Sequence, residues 1–133
     1  MPKENKQESA LKVNDEIKAV IRVIEEKKGE NIRLIDVRGK SSITDYIILV
    51  SALSEPHAKA LKNSLDKEIS EKGIAVIGND NASESGWLVL DAFDFMVHIQ
   101  TEAMRSFYGI EDLWKDGCLL YTSRAHETRH YRV

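Results

Sequence analysis

The chain has 133 residues, 42% hydrophobic and 31% charged, with one cysteine and a formal net charge of -3. That length and apolar fraction suit one domain with a real core, and no stretch approaches the roughly 20 apolar residues of a membrane span. The lone Cys118 excludes an internal disulfide, and MPKENKQESALK carries no apolar signal region, so the expected location is cytoplasmic. A surface built to grip nucleic acid shows a basic excess, whereas 22 acidic residues here outnumber 19 basic ones. A basic protein partner or an uncharged ligand therefore fits better than bare RNA.

Ala10, Val13, Ile17, Val20, Ile21 and Ile24 recur at helical spacing and predict an amphipathic first helix. Lys27 and Lys28 suit its negative end, and Gly29 is the expected left-handed cap. NIRLIDVRG reads as a strand ended by Gly39, and YIILVS as a central strand buried on both faces. Ser54 then caps a second helix with Pro56 in its first turn and Ala58, Leu61, Leu65 and Ile69 as its buried stripe, ended by Gly73. IAVIG is the third expected strand and NDNASESG a polar loop. WLVLD and FMVHIQ flank the connection Ala92-Phe93-Asp94 and read as an antiparallel hairpin. Thr101 caps a short third helix, TEAMRSFY, stopped by Gly109. This order predicts an α+β domain over residues 10–117. Its mixed five-stranded sheet carries helices mainly on one face, and the second helix is long enough for a parallel crossover. Residues 1–9 read as a flexible polar start and 118–133 as a basic tail.

Alternation sorts the hairpin into two faces. If Leu88, Leu90, Phe95, Val97 and Ile99 face the helices, Trp87, Asp91, Met96 and His98 share the other face. Exposed Trp and Met are what interfaces use, although a covering loop or a dimer partner would explain the same pattern as ordinary packing.

Catalytic signatures are weak. A lone strand histidine such as His98 is more often hydrogen-bonded structure than a general base or ligand. Asp36, Asp45, Asp91 and Asp94 invite a two-metal reading, but no D-x-D falls on a predicted strand. Walker, Rossmann and G-x-S-x-G patterns are absent from the sequence, and nothing around Cys118 suggests an activated thiolate. His126 to His130 spells HETRH, the zincin pattern, yet its flanks lack an apolar stripe and a third ligand would have to come from upstream. The expectation is a solvated basic tail in which Arg124, Arg129 and Arg132 cluster where they can touch phosphate. No metal, cofactor or catalytic residue is assigned.

The stretch GWLVLDAFDFMVHIQTEAMRSFYGIEDLW resembles the signature of the ribosomal silencing factor, or Iojap, family at Gly86, Trp87, Asp91, Val97, His98, Arg105, Phe107, Tyr108, Glu111, Leu113 and Trp114. Upstream, Asp36, Val37, Thr44, Asp45 and Tyr46 match the family's Asp-Val and Thr-Asp-Tyr segments. Ile110 stands where leucine is usual, and the chain from Cys118 onward shows no matching counterpart. The resemblance implies a fold nucleotidyltransferase-like in outline but without catalytic carboxylates. It also implies a non-enzymatic translation repressor that binds the large ribosomal subunit through a ribosomal protein on its intersubunit face. Blocking small-subunit joining lowers translation when nutrients are short. A minor contact with ribosomal RNA and a homodimer when free are further expectations. The expected partner-binding residues are Trp87, Asp91, Met96, His98, Tyr108, Glu111, Asp112 and Trp114, with Asp45 and Arg105 as structural support and Arg105 paired to a carboxylate such as Asp91. The alternatives are a large-subunit assembly factor, a divergent nucleotidyltransferase-like enzyme and a zinc-dependent enzyme.

Overall fold

The computed structural model describes residues 15–40, 44–76, 78–80, 86–109 and 118–122, with only the backbone described at 78–80 and 118–122. Helix α1 covers residues 15–26. It is followed by β1 (Glu30–Asp36), β2 (Tyr46–Ala52), α2 (Glu55–Glu71), β3 (Gly78–Asp80), β4 (Trp87–Asp91), β5 (Phe95–Thr101), α3 (Glu102–Tyr108) and β6 (Cys118–Thr122). The strands form one mixed sheet in the order β3-β4-β5-β2-β1-β6. β2 and β5 run parallel at its centre, and every other neighbouring pair is antiparallel. No helix among the described residues is long and apolar enough to cross a membrane.

The uninterrupted apolar run of β2 is buried at every position, as a strand covered on both faces requires. On one face its Ile48 and Val50 join Leu88, Leu90, Phe95, Val97 and Ile99 beneath α1 and α2. α1 supplies Ile17, Val20, Ile21 and Ile24, and α2 supplies the expected Ala58, Leu61, Leu65 and Ile69. The opposite face holds a smaller cluster of Ile35, Val37, Ile47 and Leu49, with Trp87 packed against it.

The helix ends follow local chemistry. Ser54 Oγ accepts the His57 N–H and caps α2, with Pro56 in the first turn. At the other end Gly73 takes a left-handed φ of 70°, and the Ile74 N–H reaches back to the Ile69 carbonyl in a Schellman closure. Thr101 caps α3 by accepting the Met104 N–H, and Gly109 closes it at φ 55°.

Four expectations need correction. The sheet has six strands, because CLLYT, assigned to the tail, pairs with β1 from Cys118 to Thr122. The boundary at 117 therefore falls one strand early. The third strand lies at Gly78–Asp80 and shares only Gly78 with the more apolar IAVIG, because pairing to β4 outweighs local propensity. The parallel partner of β2 is β5, so the chain passes through α2, β3 and β4 before returning beside β2. Finally, Lys28, not Gly29, takes the left-handed cap of α1 at φ 69°. Gly29 answers a packing demand instead: a Cβ there would sit 2.5 Å from Ile24 Cγ2 and 2.7 Å from Val50 Cγ2.

Candidate functional site: an aromatic row on the sheet face opposite α1 and α2

The pleat of β4 and β5 decides which side chains meet. Their register sets Trp87 against Gln100, Val89 against His98 and Asp91 against Met96, all on the face opposite α1 and α2. Trp87, Asp91, Met96 and His98 are all half-buried there, so the expected shared face exists.

Trp87 is the hub. Its indole Nε1–H donates to His98 Nδ1 at 3.2 Å, with ring centroids 6.0 Å apart. Because Nδ1 accepts, the neutral ring carries its proton on Nε2. Burial pulls His98 from its ordinary 6.5 down to about 4, against a smaller upward pull from the Asp91 carboxylate. His98 is thus an uncharged acceptor over the physiological range, with its Nδ1 already engaged.

On its other side Trp87 packs against Tyr108 of α3, with centroids 4.8 Å apart, and Tyr108 meets Phe107 edge-to-face at 5.0 Å. The row runs from the half-buried Trp87 to Tyr108, 50% exposed, and Phe107, 78% exposed. Such an aromatic surface with a polar handle is suited to protein contact.

Arg105 fixes α3 under this row through contacts with the two strands beneath it. Its buried guanidinium donates from Nη1 to the Asn31 carbonyl and to Ser51 Oγ, on β1 and β2. Asp91, the carboxylate named as its expected partner, accepts the Phe93 N–H at Oδ1 within its own turn. That turn holds Phe93 at φ 72° and 62% exposed, an unusual backbone state for a bulky residue. Asp45 acts through its backbone: its carbonyl accepts the Val37 N–H, and its N–H donates to the Asp94 carbonyl. Glu111, Asp112 and Trp114 lie outside the described residues, as does HETRH. Among the described residues no group of three or more His, Cys, Asp or Glu side chains could hold a metal ion.

Sequence reasoning missed Phe107 as a surface residue and Phe93 altogether. Helical geometry carried a signal for the first, since a residue two positions after a buried Arg105 lies on the far side of a helix. No sequence pattern marked the positive φ of Phe93.

The model of the family described as "Ribosomal silencing factor during starvation" matches residues 10–131. That span includes β6 and HETRH, so the chain beyond Cys118 does have a family counterpart. A "Ribosomal silencing factor RsfS" of Haemophilus influenzae is 36% identical over 65% of this chain and 85% of its own length. A chloroplastic Iojap protein of Arabidopsis thaliana is 25% identical over 70% of this chain and 39% of its own. A crystal structure of a Chromobacterium violaceum protein superposes with a TM-score of 0.73 at 30% identity, covering 77% of this chain and 85% of that one. The Trp87-His98 hairpin and the Phe-Tyr helix end fall inside a match that spans nearly the whole sequence, and the chain belongs to the ribosomal silencing factor family.

Proposed function

We propose that this chain is a non-enzymatic, cytoplasmic translation repressor. It binds the large ribosomal subunit through a basic ribosomal protein on the intersubunit face, and by occupying that footprint it keeps the small subunit from joining, mainly when nutrients are short. The nucleotidyltransferase-like outline belongs to the same reading: here the sheet is a frame for a docking face. One observation carries the proposal beyond family membership. The Trp87-Tyr108-Phe107 row opens to solvent from a braced backing, in a chain whose net charge of -3 is opposite to that of a basic partner. Buried aromatic anchors supply much of an interface's energy, and charge complementarity speeds encounter and favours the right partner.

Steric exclusion needs no bond to be made or broken, only residence on the shared surface. The test is sedimentation of the protein with separated large subunits, followed by addition of small subunits. Co-migration with the large subunit and loss of the joined particle are expected. Combined Phe107→Ala and Tyr108→Ala should weaken binding by about 10-fold or more while leaving the fold intact. Wild-type protein that does not bind large subunits even at low salt would overturn the reading.

A further inference from the structure

His98 is half-buried and uncharged, so it contributes no charge attraction to a basic partner. Its one described polar contact is with Trp87. It sits mid-strand, paired across to Leu49 on one side and Val89 on the other, so the central sheet fixes its backbone. Trp87 lies between this anchor and α3, a helix of only seven residues. An indole has one donor. Packing on Tyr108 and against the Ile35-Val37-Ile47-Leu49 cluster restrains the ring by shape, and the hydrogen bond to Nδ1 adds a directional restraint on its tilt.

We propose that His98 is a positioning residue for the docking surface: its Nδ1 atom holds the Trp87 indole, and through it the Tyr108 and Phe107 rings, in the orientation that partner binding requires. This rests on the reading of the aromatic row as the ribosome-facing surface. It assigns His98 a role through Trp87 instead of a direct contact.

An acceptor in the right place is all this role needs, which separates it from packing. In His98→Asn the Oδ1 atom can stand where Nδ1 stood and accept the same indole proton. His98→Leu fills similar volume with no acceptor. The first readout is the Trp87 indole 1H–15N resonance of the full chain, assigned with Trp87→Phe so that it is not confused with Trp114. In wild type and His98→Asn it should be that of a hydrogen-bonded indole, slow to exchange with solvent. In His98→Leu it should move and exchange about tenfold faster or more. The second readout is affinity for purified large subunits. His98→Leu should bind about tenfold more weakly, the scale of one lost buried hydrogen bond, while His98→Asn stays close to wild type.

An unchanged indole resonance in His98→Leu would overturn the proposal, and so would a moved resonance with undiminished binding. If His98→Leu does not fold, Trp87→Phe makes the same test by deleting the donor and keeping a ring. Its affinity should fall similarly, and unchanged affinity would overturn the proposal. Wild-type protein that binds no large subunit would instead defeat the functional reading. The indole resonances would still decide, with no ribosome present, whether His98 holds Trp87.

Discussion

The two faces of the sheet are built on different principles. Beneath α1 and α2, side chains of one chemical kind interdigitate, and Phe95, Val97 and Ile99 are wholly buried with no polar atom to satisfy. On the other face, beside the small apolar cluster of Ile35, Val37, Ile47 and Leu49, a neutral imidazole, an indole, a carboxylate and a thioether share a half-buried surface that ends in exposed rings. The first face needs only volume and apolarity, so many sequences would serve it. The second depends on named atoms in named places. Stability should therefore reside mainly in the first and recognition in the second.

The sharpest way to break that division is a pair of matched truncations. Phe95→Ala removes a fully buried ring and should cost about 3–5 kcal/mol in urea unfolding. Phe107→Ala removes a largely exposed ring and should change stability by no more than about 0.5 kcal/mol, yet weaken large-subunit binding. A Phe107 variant that unfolds readily would show that the aromatic row is core after all.

The second test uses protons. His98 titrates at about 4 in the folded chain against an ordinary 6.5, because burial disfavours the imidazolium. Above 6.5 the imidazole is neutral in both folded and unfolded chains, and its burial carries no protonation penalty. As pH falls, the unfolded chain takes up the proton first, so stability is lost progressively between about 6.5 and 4. The loss reaches roughly 3 kcal/mol at its limit. His98→Asn has no such proton to bind and should flatten that part of the pH–stability curve. A curve unchanged by the substitution would place the acid sensitivity elsewhere.

The same contrast explains what could be read from the sequence. The stripe of α2, the caps at Ser54, Thr101 and Gly109 and the hairpin alternation are local, periodic signals, and the structure realises them. CLLYT was legible as a β-prone run, but a neighbouring His- and Arg-rich segment disguised it as tail. β3 was misplaced because pairing with β4, not composition, selects Gly78–Asp80. At the site, the grouping of Trp87, Asp91, Met96 and His98 followed from a period of two. The bond from Trp87 to His98 and the placement of Arg105 on Asn31 and Ser51 did not, because each depends on where a side chain meets another element. A resemblance locates such residues without saying what each one touches.

Where α1 turns into β1, on the helix-covered side, two neighbouring residues meet opposite demands. Lys28 holds φ 69° there, a conformation that costs a residue with a Cβ about 1 kcal/mol, while its neighbour Gly29 has no room for one. The two positions should therefore respond in opposite directions. Gly29→Ala drives a methyl into Ile24 and Val50 and should destabilise by about 1–3 kcal/mol. Lys28→Gly relieves the backbone and should stabilise by up to about 1 kcal/mol, offset in part by the greater freedom glycine gives the unfolded chain. Neither residue belongs to the aromatic row, so affinity for the large subunit should stay the same in both folded variants as long as the Asn31 carbonyl still holds Arg105. Loss of binding in stable Lys28→Gly protein would show that the two faces are coupled through the sheet, and that the separation of stability from recognition is incomplete.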